Sequence, residues 1–176
     1  MKLIPFALAV LLLVAASWLI AAPILPQRHV TDEVRSLADL SRVRLAVEEV
    51  PATLAAHDIH TNDIRGAWSR RLRVAGIEQT DDRSAPRLWV KMIGGSDPTR
   101  PGSVAYTLMV ELSQAVRVER LDQKLVVPTY TDVYAGMGTP ETVADAVAGT
   151  VRSAAKGFVG AVKDGTVARS KDGLDE

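Results

Sequence analysis

The chain contains no cysteine, few aromatic residues and no excess of charge of either sign. Across 176 residues, 5% are aromatic, and 21 basic side chains stand against 21 acidic ones. Without cysteine there can be no disulfide bond, no thiol nucleophile and no lipid-modified N-terminal cysteine, so an exported domain must rely on its apolar core. The balanced charge gives no reason to expect nucleic acid as a partner.

One long stretch without any charged side chain is present, from Leu3 to Leu25. Two interpretations of residues 1–26 stay open. Lys2, the apolar run and a small-residue site before Ser17 fit a secretory signal peptide. Because about 20 apolar residues span a bilayer, the same run also fits an uncleaved transmembrane anchor. Both interpretations predict that the remaining chain is exported and lies outside the cytoplasm, either free in the periplasm or anchored to the membrane.

Shifts in composition divide the remaining chain into three parts. The polar stretch 27–40 predicts a membrane-proximal stalk with a short helix that Thr31 caps. Residues 41–165 predict a single domain, which is long enough to bury a substantial core. The polar tail 166–176, which follows Gly165, is predicted to be disordered.

Alternation of apolar and polar residues predicts four strands in the domain, since a strand with one buried face has a period of two. The clearest case begins at Val104, where apolar residues occupy nearly every even position as far as Val118. Turn-forming residues over 94–102 predict a hairpin loop. Pro128 favours a sheet edge or a bulge in the last strand. The four predicted strands lie within 41–50, 88–93, 104–119 and 125–134.

Two segments carry apolar residues at helical spacing. The first covers 62–75, with Gly76 as its expected stop, and the second follows Thr139 and ends at Gly165. The order β-α-β-β-β-α predicts an α+β fold behind the N-terminal hydrophobic helix. In this fold a four-stranded, mainly antiparallel sheet carries both helices on one face, and its other face is open.

Neither a catalytic motif nor a cofactor-binding motif is present, so we expect no enzyme and no cofactor. The sequence His57-Asp58-Ile59-His60 holds the only histidine cluster. Its two imidazoles and one carboxylate make it a candidate zinc site, although its predicted loop position favours an ordinary polar loop.

Two further features are candidate contacts to a partner or an anion. Arginines occupy the polar side of the first helix, where they either meet an anionic group or are simply solvated. Trp89 is opposite in parity to Leu88 and Val90, which predicts that it lies on the open face of the sheet and could stack on a ligand. The arginines are Arg65, Arg70, Arg71 and Arg73.

Three stretches resemble small exported bacterial proteins of unknown function: RLRVAGIE (71–78), VAYTLMVELSQAVRVER (104–120) and VVPTYTD (126–132). The order of the elements behind an export signal is similar to that of the lipopolysaccharide-assembly accessory lipoprotein of the outer membrane. That lipoprotein carries a lipidated cysteine, and this chain has none. The resemblance therefore implies neither a lipid tether nor any functional residue here.

These observations predict a non-catalytic cell-envelope accessory or binding protein that supports transport or envelope assembly. It would contact an envelope protein or an amphiphile through the open sheet face or a strand edge. One alternative is a carrier or sensor for a small ligand or lipid held between the sheet and the stalk. A more remote alternative is a metal-dependent hydrolase. If residues 3–25 are retained, the membrane is itself a partner, whereas nucleic acid is not expected.

Overall fold

The protein is represented by a computed structural model that describes residues 30–96 and 102–172. The predicted leader Leu3–Leu25 lies outside the described residues, as do part of the predicted hairpin loop (97–101) and the last four residues. Within the described ranges, no helix is both long and apolar enough to cross a membrane. The elements are α1 (Asp32–Arg35), β1 (Arg42–Val47), α2 (Ala52–Ala55), α3 (Thr61–Val74), β2 (Glu78–Gln79), β3 (Arg87–Ser96), β4 (Val104–Val118), a 3-10 turn (Glu119–Leu121), β5 (Gln123–Gly138) and α4 (Val143–Asp172).

The sheet has the strand order β2-β1-β3-β4-β5, with β1 parallel to both neighbours and β3, β4 and β5 antiparallel. The α+β class is as predicted, but the sheet has five strands where four were expected. The additional strand is β2, which runs beside Arg42 and Val43. Gly76, with φ of 77°, turns the chain after α3 and so makes this pairing possible. A two-residue strand has no periodicity for sequence analysis to detect.

Strand β4 determines which face of the sheet is covered. Its even-numbered side chains are buried from Val104 to Leu112. Helix α4 packs against β4 and β5, while α3 packs against α4, β1 and β2 in the same core. Phe158 on α4 meets the rings of Trp68 and Tyr130 edge to face, with centroids 5.9 and 5.5 Å apart. Both long helices therefore lie on one face, as predicted, and their apolar sides form the core with the sheet.

Strand β5 is the edge of the sheet, and a bulge interrupts its pairing with β4. Leu112 pairs with Tyr130 but Ser113 pairs with Pro128, so one residue of β5 has no partner. The prediction made from Pro128 is confirmed. Because the pairing of β3 also ends at Ser113, the rest of β4 and β5 continues as a two-stranded hairpin arm, residues 114–127.

Strand β3 extends further than the sequence indicated. Gly94 and Gly95, which were predicted to belong to a loop, pair with Tyr106 and Ala105 of β4. A Cβ atom on Gly94 would overlap the side chain of Leu54 in α2. This glycine therefore permits close packing of α2 on the strand, and it does not mark a turn.

The segment predicted as a stalk is packed onto the domain from α1 onward. Thr31 caps α1 by accepting a hydrogen bond from the Val34 amide at 3.4 Å. Leu37 is completely buried in the core. The Ser36 hydroxyl donates to the Thr129 carbonyl at 3.1 Å, and Gln114 Nε2 donates to the Ser36 carbonyl at 2.9 Å. These contacts fix α1 at the base of the hairpin arm.

Helix α4 continues to Asp172, past the Gly165 at which its end was predicted. Residues 166–172, predicted to be disordered, are therefore helical. Gly165 is not a helix stop: it faces α1, and a Cβ atom there would overlap the carbonyl oxygen of Val34. The extra turns are held by Arg169, which donates to the Asp39 carboxylate at 2.9 Å.

The different surroundings of two α4 glycines generate a stability prediction. Gly165→Ala is expected to lower the free energy of unfolding by about 1–3 kcal/mol, because the methyl group would push α1 off the helix. Gly160→Ala is the matched control: nothing lies within 4 Å of a Cβ there. It should raise stability by up to ~1 kcal/mol through helix propensity. Urea unfolding of both variants measures the difference, and equal stabilisation would contradict the packing of α1 on Gly165.

Candidate binding surface on the open sheet face

The outward side chains of the three antiparallel strands form an apolar strip. Ile93 is 51% exposed, Val133 56% and Met137 61%. The register places Val133 opposite Met109, and Met137 opposite Ala105. Directly opposite side chains lie about 5 Å apart, so these pairs are in contact range. Ile93 pairs with Thr107 and lies diagonal to Ala105 and Met109, which joins it to the same surface. We name the apolar strip by its members, Ile93, Ala105, Met109, Val133, Ala135 and Met137.

Trp89 lies on the same face, next to the apolar strip, as its parity predicted. It pairs with Glu111 of β4 and is half-buried. The Arg87 guanidinium lies 5.6 Å and the Lys91 ammonium 5.4 Å from the centre of its ring, which is within range for cation–π attraction. Lys91 also forms an ion pair with Glu48 at 3.4 Å. The indole is therefore bordered by cations.

This surface has two cross-strand pairs in which both residues are positively charged. Arg44 of β1 pairs with Arg87 of β3, and Arg117 of β4 pairs with Lys124 of β5. Arg117 donates to the Asp122 carboxylate through Nε at 3.0 Å. Like charges placed directly opposite one another destabilise a sheet. The open face thus combines apolar residues with clustered cations.

The four arginines of α3 do not converge on one site. Arg65 lines a cleft on the β1–β2 side of the helix, whereas Arg70 lines the groove towards α4. Arg71 is half-buried and its Nε has no hydrogen-bond partner, while Arg73 is exposed near the end of the helix. Contact of these arginines with an anion stays a prediction, and the structure does not support a shared site.

The histidine segment lies in the connection before α3. Asp58 has φ of 58°, and His60 precedes the first helical turn without capping it. Among the described residues, no group of three His, Asp or Glu side chains is placed to hold a metal ion. His57 lies near Glu141, whose pKa is lowered chiefly by a hydrogen bond with Thr139 and further by His57. A metal site here stays a prediction.

Two grooves lie between α3 and α4. The groove near the helix starts has a volume of about 200 Å³ and is bordered by Asp58, His60 and Arg70. The groove near the helix ends is larger, about 540 Å³, and lies beside the connection from α1 to β1. Its lining is mostly apolar, with Leu40, Ile77, Val159 and Val162. It also includes the ammonium group of Lys163 and the carboxylate of Asp39, which is paired with Arg169.

A polar cluster on β5 was not predicted from the sequence. The hydroxyls of Tyr130 and Tyr134 donate to Asp132 Oδ2 at 3.3 and 2.6 Å, and the Val133 amide donates to Oδ1 at 2.9 Å. Burial and the negative Asp132 raise the pKa of both tyrosines above the ordinary value of 10.0. The period of two places residues 130, 132 and 134 on one face, so alternation is a signal that could have revealed the cluster.

The raised tyrosine pKa values predict loss of stability at alkaline pH. Above about pH 10, tyrosines of the unfolded chain release protons that the folded cluster retains, so the free energy of unfolding falls as pH rises. Tyr130→Phe combined with Tyr134→Phe should make this fall shallower. Urea midpoints for both proteins from about pH 9 to about pH 11 measure the effect. Parallel pH curves would show that the cluster does not contribute.

Comparison with known proteins finds similar solved structures, of which two are described. No protein-family model matches the chain, and no curated protein matches it significantly. A minor lipoprotein from Acinetobacter baumannii is 16% identical, with a TM-score of 0.42, over 68% of this chain and 90% of that one. The rare lipoprotein B from Shewanella oneidensis is 13% identical, with a TM-score of 0.39, over 77% of this chain and 99% of that one.

Both of these structures are of lipoproteins. At identities and TM-scores this low, the matches carry no conclusion about what the chain binds. The assignment of a function therefore depends on the surfaces of the domain itself.

Proposed function

We propose that the chain is a non-catalytic cell-envelope protein that binds an envelope protein or an amphiphile through its open sheet face. In this role it supports transport or envelope assembly, and residues 1–26 direct or anchor the domain outside the cytoplasm. The observation that carries the proposal is the apolar strip, whose three large exposed side chains, Ile93, Val133 and Met137, are each more than half accessible. They lie on β3 and β5, the two strands that pair with β4.

Exposed apolar side chains scattered singly over a surface are ordinary, but contiguous groups mark interaction sites. The apolar strip is contiguous, and the pairing of β3, β4 and β5 holds it in one geometry. Binding therefore requires little ordering of the backbone, which lowers its entropic cost. A surface of this kind favours contact over chemistry.

A second candidate function is a carrier of a small ligand or lipid, which the groove of about 540 Å³ favours. This volume falls in the range of small-molecule pockets. Its apolar lining suits a hydrocarbon chain, and Lys163 at its border suits an anionic group. The groove lies on the helix side of the sheet, so this function does not need the apolar strip.

The apolar strip is tested by placing charges in it. Val133→Lys combined with Met137→Lys is expected to abolish recovery of the partner after crosslinking and purification from membranes, because two ammonium groups would have to be desolvated in the interface. Both positions are exposed, so stability should change by less than about 0.5 kcal/mol. Retention of the partner by the double variant would refute the proposal.

Val74→Lys is the matched control, since Val74 is 80% exposed on α3, away from the open face. It should leave partner recovery unchanged. Native mass spectrometry of the same proteins separates the second candidate: a lipid carried in the groove would be retained equally by the wild type, the double variant and the control.

A further inference from the structure

Some of the basic residues on the open face form ion pairs, and others have no carboxylate partner. Two of its basic residues are neutralised by carboxylates: Lys91 by Glu48, and Arg117 by Asp122. A third, Arg42, lies 3.9 Å from Asp82. Within the described part of the chain, no carboxylate lies within ion-pair distance of the other three, which are Arg44, Arg87 and Lys124.

These unpaired cations belong to the two cross-strand pairs of like charge, Arg44 with Arg87 and Arg117 with Lys124. The two pairs lie at opposite sides of the sheet, one on β1–β3 and the other in the hairpin arm. In the isolated domain Asp122 offsets the charge of Arg117, whereas Arg44, Arg87 and Lys124 have no carboxylate partner. Their repulsion is relieved when an anionic surface lies opposite. An extended anionic surface can relieve both pairs at once, whereas a single small anion can reach only one.

In the membrane-anchored form of the protein, residues 26–29 form a tether that is short enough to hold α1 close to the membrane. Only residues 26–29 separate Leu25, the end of the apolar run, from Val30, the first described residue. Such a connection spans at most about 18 Å. The α1 helix that follows is bonded to β5, since Glu33 Oε1 accepts from the Thr131 amide at 2.6 Å. The strand beside the tether is therefore the one that carries Val133 and Met137.

We infer that the partner of the open face is the surface of an anionic lipid membrane, the one in which residues 3–25 are held. The apolar strip and Trp89 enter the headgroup region, as apolar and aromatic side chains do at membrane interfaces. Arg44, Arg87 and Lys124 meet lipid phosphates, and each basic residue near such a surface adds to the attraction. This inference rests on the proposed function, in its membrane-anchored form, and identifies the amphiphile.

The absence of cysteine allows a direct test, because a single introduced cysteine can be labelled in the full chain. Val133→Cys, and separately Val74→Cys, is labelled with an environment-sensitive fluorophore and reconstituted into phosphatidylcholine vesicles with or without phosphatidylglycerol. The emission at position 133 should shift to the blue only when phosphatidylglycerol is present. The emission at position 74 should not change.

Two additional measurements test the electrostatic contribution to binding of the open face to the vesicles. Raising the salt from about 0.1 M to about 1 M shortens the screening length from ~10 Å to ~3 Å, so it should reduce the shift at position 133. Arg44→Gln combined with Arg87→Gln should reduce it as well, whereas Arg73→Gln, a cation on α3, should not.

Several outcomes would overturn the inference. These are no shift at position 133, equal shifts with and without phosphatidylglycerol, equal shifts at positions 133 and 74, or a shift already present before vesicles are added. Release of the chain from the vesicles by alkali would also contradict the inference, because it would show that residues 3–25 do not anchor the chain in the membrane. One outcome would refute the lipid partner and leave the proposed function in place. In that outcome no vesicle-dependent shift is seen, but the chain crosslinks to a protein, and Val133→Lys combined with Met137→Lys abolishes this crosslink.

Discussion

The pairing of β4 with β5 is the constraint on which the rest of the structure depends. Every residue of β4, from Val104 to Val118, has a partner on β5. Since side chains alternate between faces, this ladder assigns each residue of both strands to the helix side or to the open side. The even side of β4 lies in the core, where α4 packs onto it and α3 packs against α4, β1 and β2. A one-residue slip would exchange the two faces, so the burial of Leu108 and Leu112 maintains the register.

Much of this arrangement could be predicted from the sequence, because its signals are local. The alternation in β4, the placement of Trp89 by parity, the edge position indicated by Pro128 and the helix over 62–75 each depend on residues near one another in the chain. What was missed depends on distant contacts. Gly165 has the composition of a helix stop, and only the carbonyl of Val34, more than 100 positions away, shows that it permits packing instead.

The candidate surface shows the same division. Met137 lies beyond the strand predicted over 125–134, and only the register across strands joins Val133 and Met137 to Ile93 and Met109. The α3 arginines illustrate the opposite case. A shared polar helix face suggested a common site, yet Arg65 and Arg70 point to different clefts. Spacing along one helix does not establish that side chains meet.

The two faces of the sheet have different roles: the covered face stabilises the fold, and the open face is the candidate contact surface. The covered face holds the aromatic contacts of Phe158 and the buried β4 residues, and α1 is joined to it through Ser36 and Gln114. The open face holds apolar and cationic groups that the domain itself does not satisfy. This arrangement suits a domain that acts by contact with a partner.

The central claim, that the open face is the contact surface, is tested most directly by photo-crosslinking in living cells. A photoreactive amino acid placed at Ala135, in the middle of the apolar strip, should form a discrete adduct with its partner, whether protein or lipid. The same amino acid at Val74 should form none. Absence of an adduct at Ala135, or equal adducts at both positions, would contradict the account.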